Sequence, residues 1–217
     1  MTIIWKGHSC FLITITRGKQ EQVRLLIDPF GSDIGLRLSP QEADILLVTH
    51  DHADHSNTAV VKGAPFTITG PGEYEARDVF VQGISSYHDA IKGEERGDNT
   101  IYVIEDSGTR VCHLGDLGQQ ELTPEQVEQI GNVDVLFVPV GGTYTLDAAG
   151  ASRVVSQIEP RIVVPMHYFV PGLKLKIDGV EKFLKVMGVK EEEPQPKLVL
   201  KGRDMKEDTS VVVLKNI

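Results

Sequence analysis

The segment that decides how this chain is read is Thr49-His50-Asp51-His52-Ala53-Asp54-His55, an H-x-H-x-D-H run directly after the apolar stretch Ile45-Leu46-Leu47-Val48. Three of the seven histidines of the chain stand here, beside Asp51 and Asp54. Carboxylates this close repel one another and packed imidazoles lose hydration, and a divalent cation relieves both. If extended geometry persists past Val48, His50 and His52 project to the same side and reach one metal. Asp54 and His55 are consecutive, so at the start of a following helix they reach a second cation beside the first. A polar loop that holds histidines by chance is the plain alternative; clustered N and O donors argue instead for a Zn, Mn or Fe site.

Outward from this run, the chain has the makeup of a globular protein. Its 217 residues are enough for one substantial domain, expected over 1–217, and too few for two ordinary ones. Hydrophobic residues make up 41% and charged residues 24%, which argues against extensive disorder. A formal charge of −9 and a pI near 5.2 give no general attraction to phosphate backbones or anionic membranes. The opening residues Met1–Gly7 lack the pattern of a signal peptide, and no apolar run approaches membrane-spanning length, so a cytoplasmic setting is expected. Cys10 and Cys112 fall in apolar, strand-like surroundings and read as small buried hydrophobes without a ligand or redox role.

Short β-branched runs at 3–5, 11–16 and 23–27 predict an antiparallel meander, joined across Gly7-His8-Ser9 and the polar segment 17–21. Asp28-Pro29 ends it, and Asp28 there is either the cap of a strand-end turn or the acceptor that orients a metal-bound imidazole. A short helix is expected at 58–61, strands at 66–69 and 79–84, and, between Asp89 and Asn99, a charged segment that by default is a solvated linker and otherwise a mobile surface loop close to whatever His88 serves. Strands at 101–105 and 109–114 form a hairpin across Asp106-Ser107-Gly108. Thr123-Pro124-Glu125 opens a helix with Thr as N-cap and Pro in its first turn, stopped by Gly131. Strands at 135–140 and 162–166 then alternate with a helix at 147–158. The tail holds a helix near 180–187, an acidic break at 191–196, and strand-like runs at 197–200 and 210–214.

One property unites the remaining candidates: His50, His88, Asp116 and His167 each follow an apolar strand, where loops present side chains from a firm scaffold. The set His50-x-His52-x-Asp54-His55, His88, Gly115-Asp116 and Pro165-Met166-His167-Tyr168, in that order, resembles the metallo-β-lactamase-fold superfamily of metal-dependent hydrolases over nearly the whole chain. Gly7-His8-Ser9-Cys10-Phe11, Asp28-Pro29 and Met166-His167-Tyr168 look most like the branch that includes the ascorbate-6-phosphate lactonase.

The resemblance implies an α/β fold, a four-layer αββα sandwich of two mixed β-sheets. It also implies two divalent metals: one on His50, His52 and His88, the other on Asp54, His55 and His167, with Asp116 bridging them. Zn is favoured, and Mn or Fe also suits the donors because no Cys is among them. Two such cations share a water, lower its pKa toward neutrality and hold it as hydroxide for attack on a carbonyl or phosphoryl group. Asp54 and Asp116 are the carboxylates expected to take part in catalysis. Antibiotic hydrolysis is disfavoured because the exported β-lactamases often carry Cys where Asp116 stands. Oxygen or nitric oxide reduction is disfavoured because flavodiiron relatives carry an acidic residue in place of His52.

His88 and His113 compete for the first metal site. His113 lies three residues before Asp116, and residues an odd number apart on a strand face opposite sides. Unless the chain turns sharply at Gly115, His113 points away, so His88 is taken as the ligand. His113, His8 and Asp28 are then hydrogen-bonding neighbours of the ligands. Glu73, Arg96, Asn99, Tyr144 and Tyr168 are candidates for substrate binding, with Tyr168 foremost. The expected function is hydrolysis of a small-molecule, ester-like substrate, a lactone or phosphoester, by a monomer or a homo-oligomer. The alternatives are a nuclease or phosphodiesterase of the same fold and a non-catalytic metal-binding protein.

Overall fold

The computed structural model of the chain describes residues 1–18, 21–190, 193–200 and 208–217; the polar segment 17–21 and the acidic break 191–196 fall partly outside them. Strands β1 (Thr2–Gly7), β2 (Cys10–Arg17) and β3 (Glu21–Ile27) form the expected antiparallel meander. They are followed by β4 (Gln41–Glu42), β5 (Ile45–Leu47), β6 (Val61–Lys62), β7 (Phe66–Ile68), β8 (Gly72–Ala76), β9 (Val79–Tyr87), β10 (Asp98–Asp106) and β11 (Thr109–His113). The second half alternates α1 (Pro124–Ile130), β12 (Val135–Pro139), α2 (Ala148–Ile158), β13 (Ile162–Met166) and α3 (Val180–Val186), and ends in β14 (Leu198–Val199) and β15 (Ser210–Val211). The short helix expected at 58–61 is a single 3₁₀ turn over Thr58–Val60.

Two mixed sheets carry the fold, in the orders β14-β1-β2-β3-β5-β7 and β15-β13-β12-β11-β10-β9-β8, with β4 and β6 paired separately. This is the α/β class expected from the sequence. The apolar residues of both sheets merge into one core. In β1 burial alternates along the strand, as in a sheet with one face on the core. β12 is buried at every position because it runs parallel to β11 and β13 and is covered on both faces. Phe11 of β2 stacks on Phe137 of β12 with ring centroids 4.0 Å apart, joining one sheet to the other. Helices α1 and α2 touch β9 and β12 of the second sheet. Cys10 and Cys112 are buried, free, and raised in pKa by that burial.

Local chemistry explains how α1 begins and how β10 turns into β11. Thr123 Oγ1 accepts the Gln126 N–H at 3.2 Å while Gln126 Oε1 accepts the Thr123 N–H at 3.0 Å, a reciprocal cap with Pro124 at the first helical position. The β10–β11 turn is shorter than its sequence suggests. Asp106 pairs with Thr109, and Ser107 and Gly108 take φ of 51° and 76°.

Two expectations are corrected. β9 runs on through Ser85, Ser86 and Tyr87, which pair with Thr100, Asn99 and Asp98, so His88 follows its strand directly instead of standing four residues beyond it. β10 begins at Asp98, which shortens the intervening loop. Gly72–Ala76 is a strand, although it is charged and mostly exposed. It lies at the edge of its sheet, where charged side chains are tolerated and apolar alternation is absent. Phe137→Ala, which removes the ring shared by the two sheets, should lower stability by about 3–5 kcal/mol in urea denaturation.

Candidate metal centre

Five segments from distant parts of the chain meet at one end of the two sheets. The loop after β5 brings His50, His52, Asp54 and His55; the residue after β9 is His88; Asp116 follows β11; His167 follows β13; and the β1–β2 turn adds His8. One donor atom each from His50, His52 and His88 lie within 4.8 Å of one another, and the same holds for His8, Asp54, His55 and His167 and for His50, His55 and Asp116.

Hydrogen bonds around Asp28 decide which imidazole nitrogens carry protons. Asp28 Oδ2 accepts Thr49 Oγ1–H at 2.7 Å and His55 Nδ1–H at 2.9 Å, and Oδ1 accepts the Thr49 N–H at 2.8 Å. Because the Thr49 hydroxyl spends its proton on Asp28, it accepts from His50 Nδ1 at 3.0 Å. His50 therefore turns an unprotonated Nε2 toward the cluster, buried and with no hydrogen-bond partner among the described residues, while His55 keeps a proton on Nδ1 and aims its Nε2 the same way. His55 Nε2 faces Asp116 Oδ2 at 3.2 Å, Asp54 Oδ2 at 3.7 Å and His8 Nε2 at 3.2 Å. Lone pairs converging on one point repel unless a proton or a cation stands among them, so the residues fit a metal. Burial works against charge on His55, yet Asp116 and Asp28 outweigh it and raise its pKa well above the ordinary value, which is the pull a cation would answer. Burial pushes His50 down to about 3 and, with His167, pushes His8 down to about 4, so both are neutral donors near pH 7.

Asp116 is the point where the groups join. Its Oδ2 lies 3.2 Å from His55 Nε2, 3.3 Å from His88 Nε2 and 3.1 Å from His167 Nε2. Burial disfavours its charge, but His167 and His55 hold its pKa well below the usual carboxylate range. Its placement is over-determined: Ser9 Oγ–H donates to Oδ1 at 3.3 Å, and its own N–H donates to Asn99 Oδ1 at 3.0 Å. Gly115 at φ 58° turns the chain between β11 and Asp116, and a Cβ there would stand 2.2 Å from Asn99 Oδ1.

A cavity of about 280 Å³ opens over this cluster, lined by His52, Asp54, His88, Asp116, His167, Glu95, Arg96, Tyr144 and Leu175. Of the residues the sequence put forward for substrate binding, Arg96 and Tyr144 are here and three others are not. Asn99 is buried and spends its amide on Ser86, Leu114 and Asp116, so it fixes the backbone of the site. Tyr168 is buried against Trp5, ring centroids 4.9 Å apart, because His167 at φ 50° turns the next side chain away from the cavity. Glu73 is exposed on the edge strand β8.

His113 has both ring nitrogens engaged: Nε2–H donates to Ser9 O at 2.9 Å and Nδ1 accepts the Gly115 N–H at 3.0 Å. His8, expected as a neighbour of the ligands, lies inside the donor cluster, with Nε2 3.2 Å from both Asp54 Oδ2 and His55 Nε2. The loop expected to be mobile is tied down, since Asp89 accepts backbone N–H groups from Ile91, Gly93, Glu95 and Arg96. Ser9, Thr49, Glu95 and Leu175 were not singled out in the sequence. Ser9 and Thr49 had a signal, their places in Gly7-His8-Ser9 and at the head of the H-x-H-x-D-H run.

Residues 2–167 match the family model described as the beta-lactamase superfamily domain. The chain belongs to the metallo-beta-lactamase superfamily. A UPF0173 metal-dependent hydrolase of Thermoplasma acidophilum is 32% identical over 195 residues, covering 77% of this chain and 83% of the relative. A crystal structure from Thermotoga maritima, described as a Zn-dependent hydrolase of this superfamily, superposes with a TM-score of 0.76 at 34% identity and covers 98% of this chain and 97% of that one. The metallo hydrolase Igni18 of Ignicoccus hospitalis shares the fold, with a TM-score of 0.65 at 22% identity, covering 92% of this chain and 99% of that one. The His and Asp donors of this chain form a cluster that could hold metal ions.

Asp28→Ala frees the Nδ1 protons of His55 and, through Thr49, of His50. It should weaken metal binding by roughly 10–100-fold, measured by competition with a chromophoric chelator.

Proposed function

We propose that the chain is a dinuclear metal-dependent hydrolase of a small ester-like substrate, a lactone or a phosphoester, with Zn the favoured metal. The position of Asp116 Oδ2 carries this reading, since it stands within 3.3 Å of imidazole nitrogens from both donor groups, as a bridging carboxylate must. His50, His52 and His88 hold one cation and Asp54, His55 and His167 the other, with His8 beside the second. When bound, such a pair of cations supplies Lewis acidity and a water acidified toward neutrality.

The residues of the chain do the rest. Asp116, fixed by Ser9 and Asn99, sets the separation of the two donor groups. Asp54 is half-buried, borders the cavity, and has its Oδ2 within reach of His8 Nε2, a place to hold a proton during turnover. The cavity is at the small end for ligand sites, which supports a small molecule over a nucleic acid, in line with the acidic balance of the chain. The narrower likeness to the ascorbate-6-phosphate lactonase supports a lactone. The same reading extends to one domain over 1–217 working in the cytoplasm; no helix among the described residues is long and apolar enough to cross a membrane.

Metal-reloaded protein should hold two divalent ions per chain by elemental analysis, and saturation at one would sink the dinuclear reading. Asp116→Ala should abolish turnover of lactone or phosphoester substrates while the circular dichroism spectrum stays that of the parent. Near-parental rates in the metal-loaded variant would refute the bridging role.

A further inference from the structure

Above the donor cluster stands a positive charge that the metals themselves make unfavourable. Arg96 lines the cavity together with His52, Asp54, His88, Asp116 and His167, and it also lines the neighbouring recess beside His50 and His52. A guanidinium set beside a site for divalent cations is repelled by them, and the repulsion is relieved when an anion lies between. Among the described residues the carboxylate paired with Arg96 is that of Glu95 at 3.6 Å, whose side chain is 64% exposed, and a solvent-facing pair of this kind contributes little.

The arginine is nevertheless held in place from two sides. Its guanidinium lies 5.7 Å from the centre of the Tyr144 ring, a cation–π contact with a second wall of the cavity. Its backbone is pinned by Asp89, which accepts the Glu95 N–H at 3.0 Å and the Arg96 N–H at 2.9 Å on one oxygen, and the Ile91 and Gly93 N–H groups at 2.9 and 2.8 Å on the other. The loop is closed again where His88 N–H donates to Gly97 O at 3.1 Å, tying it to the residue that borders the donor cluster. Preorganised cations with a fork of free N–H donors recognise carboxylate or phosphate by paired hydrogen bonds.

We propose that Arg96, held by Tyr144 and the Asp89-bound loop, binds an oxyanion on the substrate, so that the preferred substrate is a small lactone or ester bearing a carboxylate or phosphate near the scissile bond. This rests on the hydrolase reading and adds the charge of the substrate to it. Arg96 and Tyr144 act as the specificity wall, and the donor cluster on the floor acts on the ester.

Three lactones that differ only in the ring substituent test this in zinc-loaded protein: γ-valerolactone with a methyl group, 5-oxotetrahydrofuran-2-carboxylate, and the corresponding hydroxymethyl lactone phosphate. The parent should favour one or both charged lactones over the neutral one by tenfold or more in kcat/KM, and the better of the two names the oxyanion. At equal metal content, Arg96→Met should collapse that preference through KM, and Arg96→Lys should restore part of it. No preference in the parent, or an equal loss of kcat on all three lactones in Arg96→Met, overturns the proposal. If the parent cleaves none of them, the lactone reading fails by itself. Calorimetric titration of the zinc-loaded proteins with 2-hydroxyglutarate and with inorganic phosphate then decides for Arg96: at least tenfold weaker binding by Arg96→Met supports the oxyanion site, and equal binding overturns it.

Discussion

The Asp28 carboxylate governs the state of the whole donor cluster from outside it. By accepting protons from Thr49 Oγ1 and His55 Nδ1 on one oxygen, it forces His50 to donate from Nδ1 to Thr49 and leaves the Nε2 atoms of both imidazoles pointing inward, that of His50 bare. Burial raises the pKa of a carboxyl group in such a place, but the hydrogen bond and charge of His55 outweigh it and keep Asp28 ionised. Without that charge the two rings could turn or change tautomer, and the cluster would lose its common direction. The apolar strands around it supply the enclosure that makes these few hydrogen bonds decisive.

Three residues at the same point carry a strained backbone. His8, Asp28 and His167 adopt positive φ of 52°, 46° and 50°, a conformation that side chains with a Cβ disfavour. Each stands where a strand ends and a site residue must be turned into the space between the sheets. Two are fastened to each other, since His167 N–H donates to His8 O at 3.1 Å, and Trp5 Nε1–H donates to the same oxygen at 2.9 Å. The β1–β2 turn thus ties the first sheet to the end of β13 in the second. It also supplies Ser9 Oγ to Asp116 and Ser9 O to His113, so two residues of one turn serve both sheets.

The cavity above the cluster obeys the same logic of local fixation. A buried aspartate gathers the backbone of residues 91–96, and the turn after β12 brings Tyr144 to face it. Side chains over the donor cluster are therefore presented from loops whose own hydrogen bonds are internally satisfied. That allows charge to be placed in the wall without depending on the packing of the core.

Some of this was legible in the sequence because it is local. The H-x-H-x-D-H run, the strand preceding each candidate ligand, the Thr123 cap and the β10–β11 turn all depend on neighbours within a few residues, where spacing and side-chain chemistry suffice. Strand parity turned His113 away from Asp116 only if the chain runs straight; Gly115 bends it, and His113 spends both ring nitrogens on the backbone. What depended on partners far along the chain was not legible. His8 meets Asp54 and His55 across 46 and 47 residues, and Ser9 meets Asp116 across 107. Asn99 and Tyr168 looked like rim residues beside their strands, but the first is consumed by Asp116 and Ser86, and the second is turned onto Trp5 by the strained backbone of His167. The charged edge strand β8 escaped because an edge does not require apolar alternation. Residue type and short spacing determined which chemistry the chain carries; the close packing of two sheets decided which atoms face it.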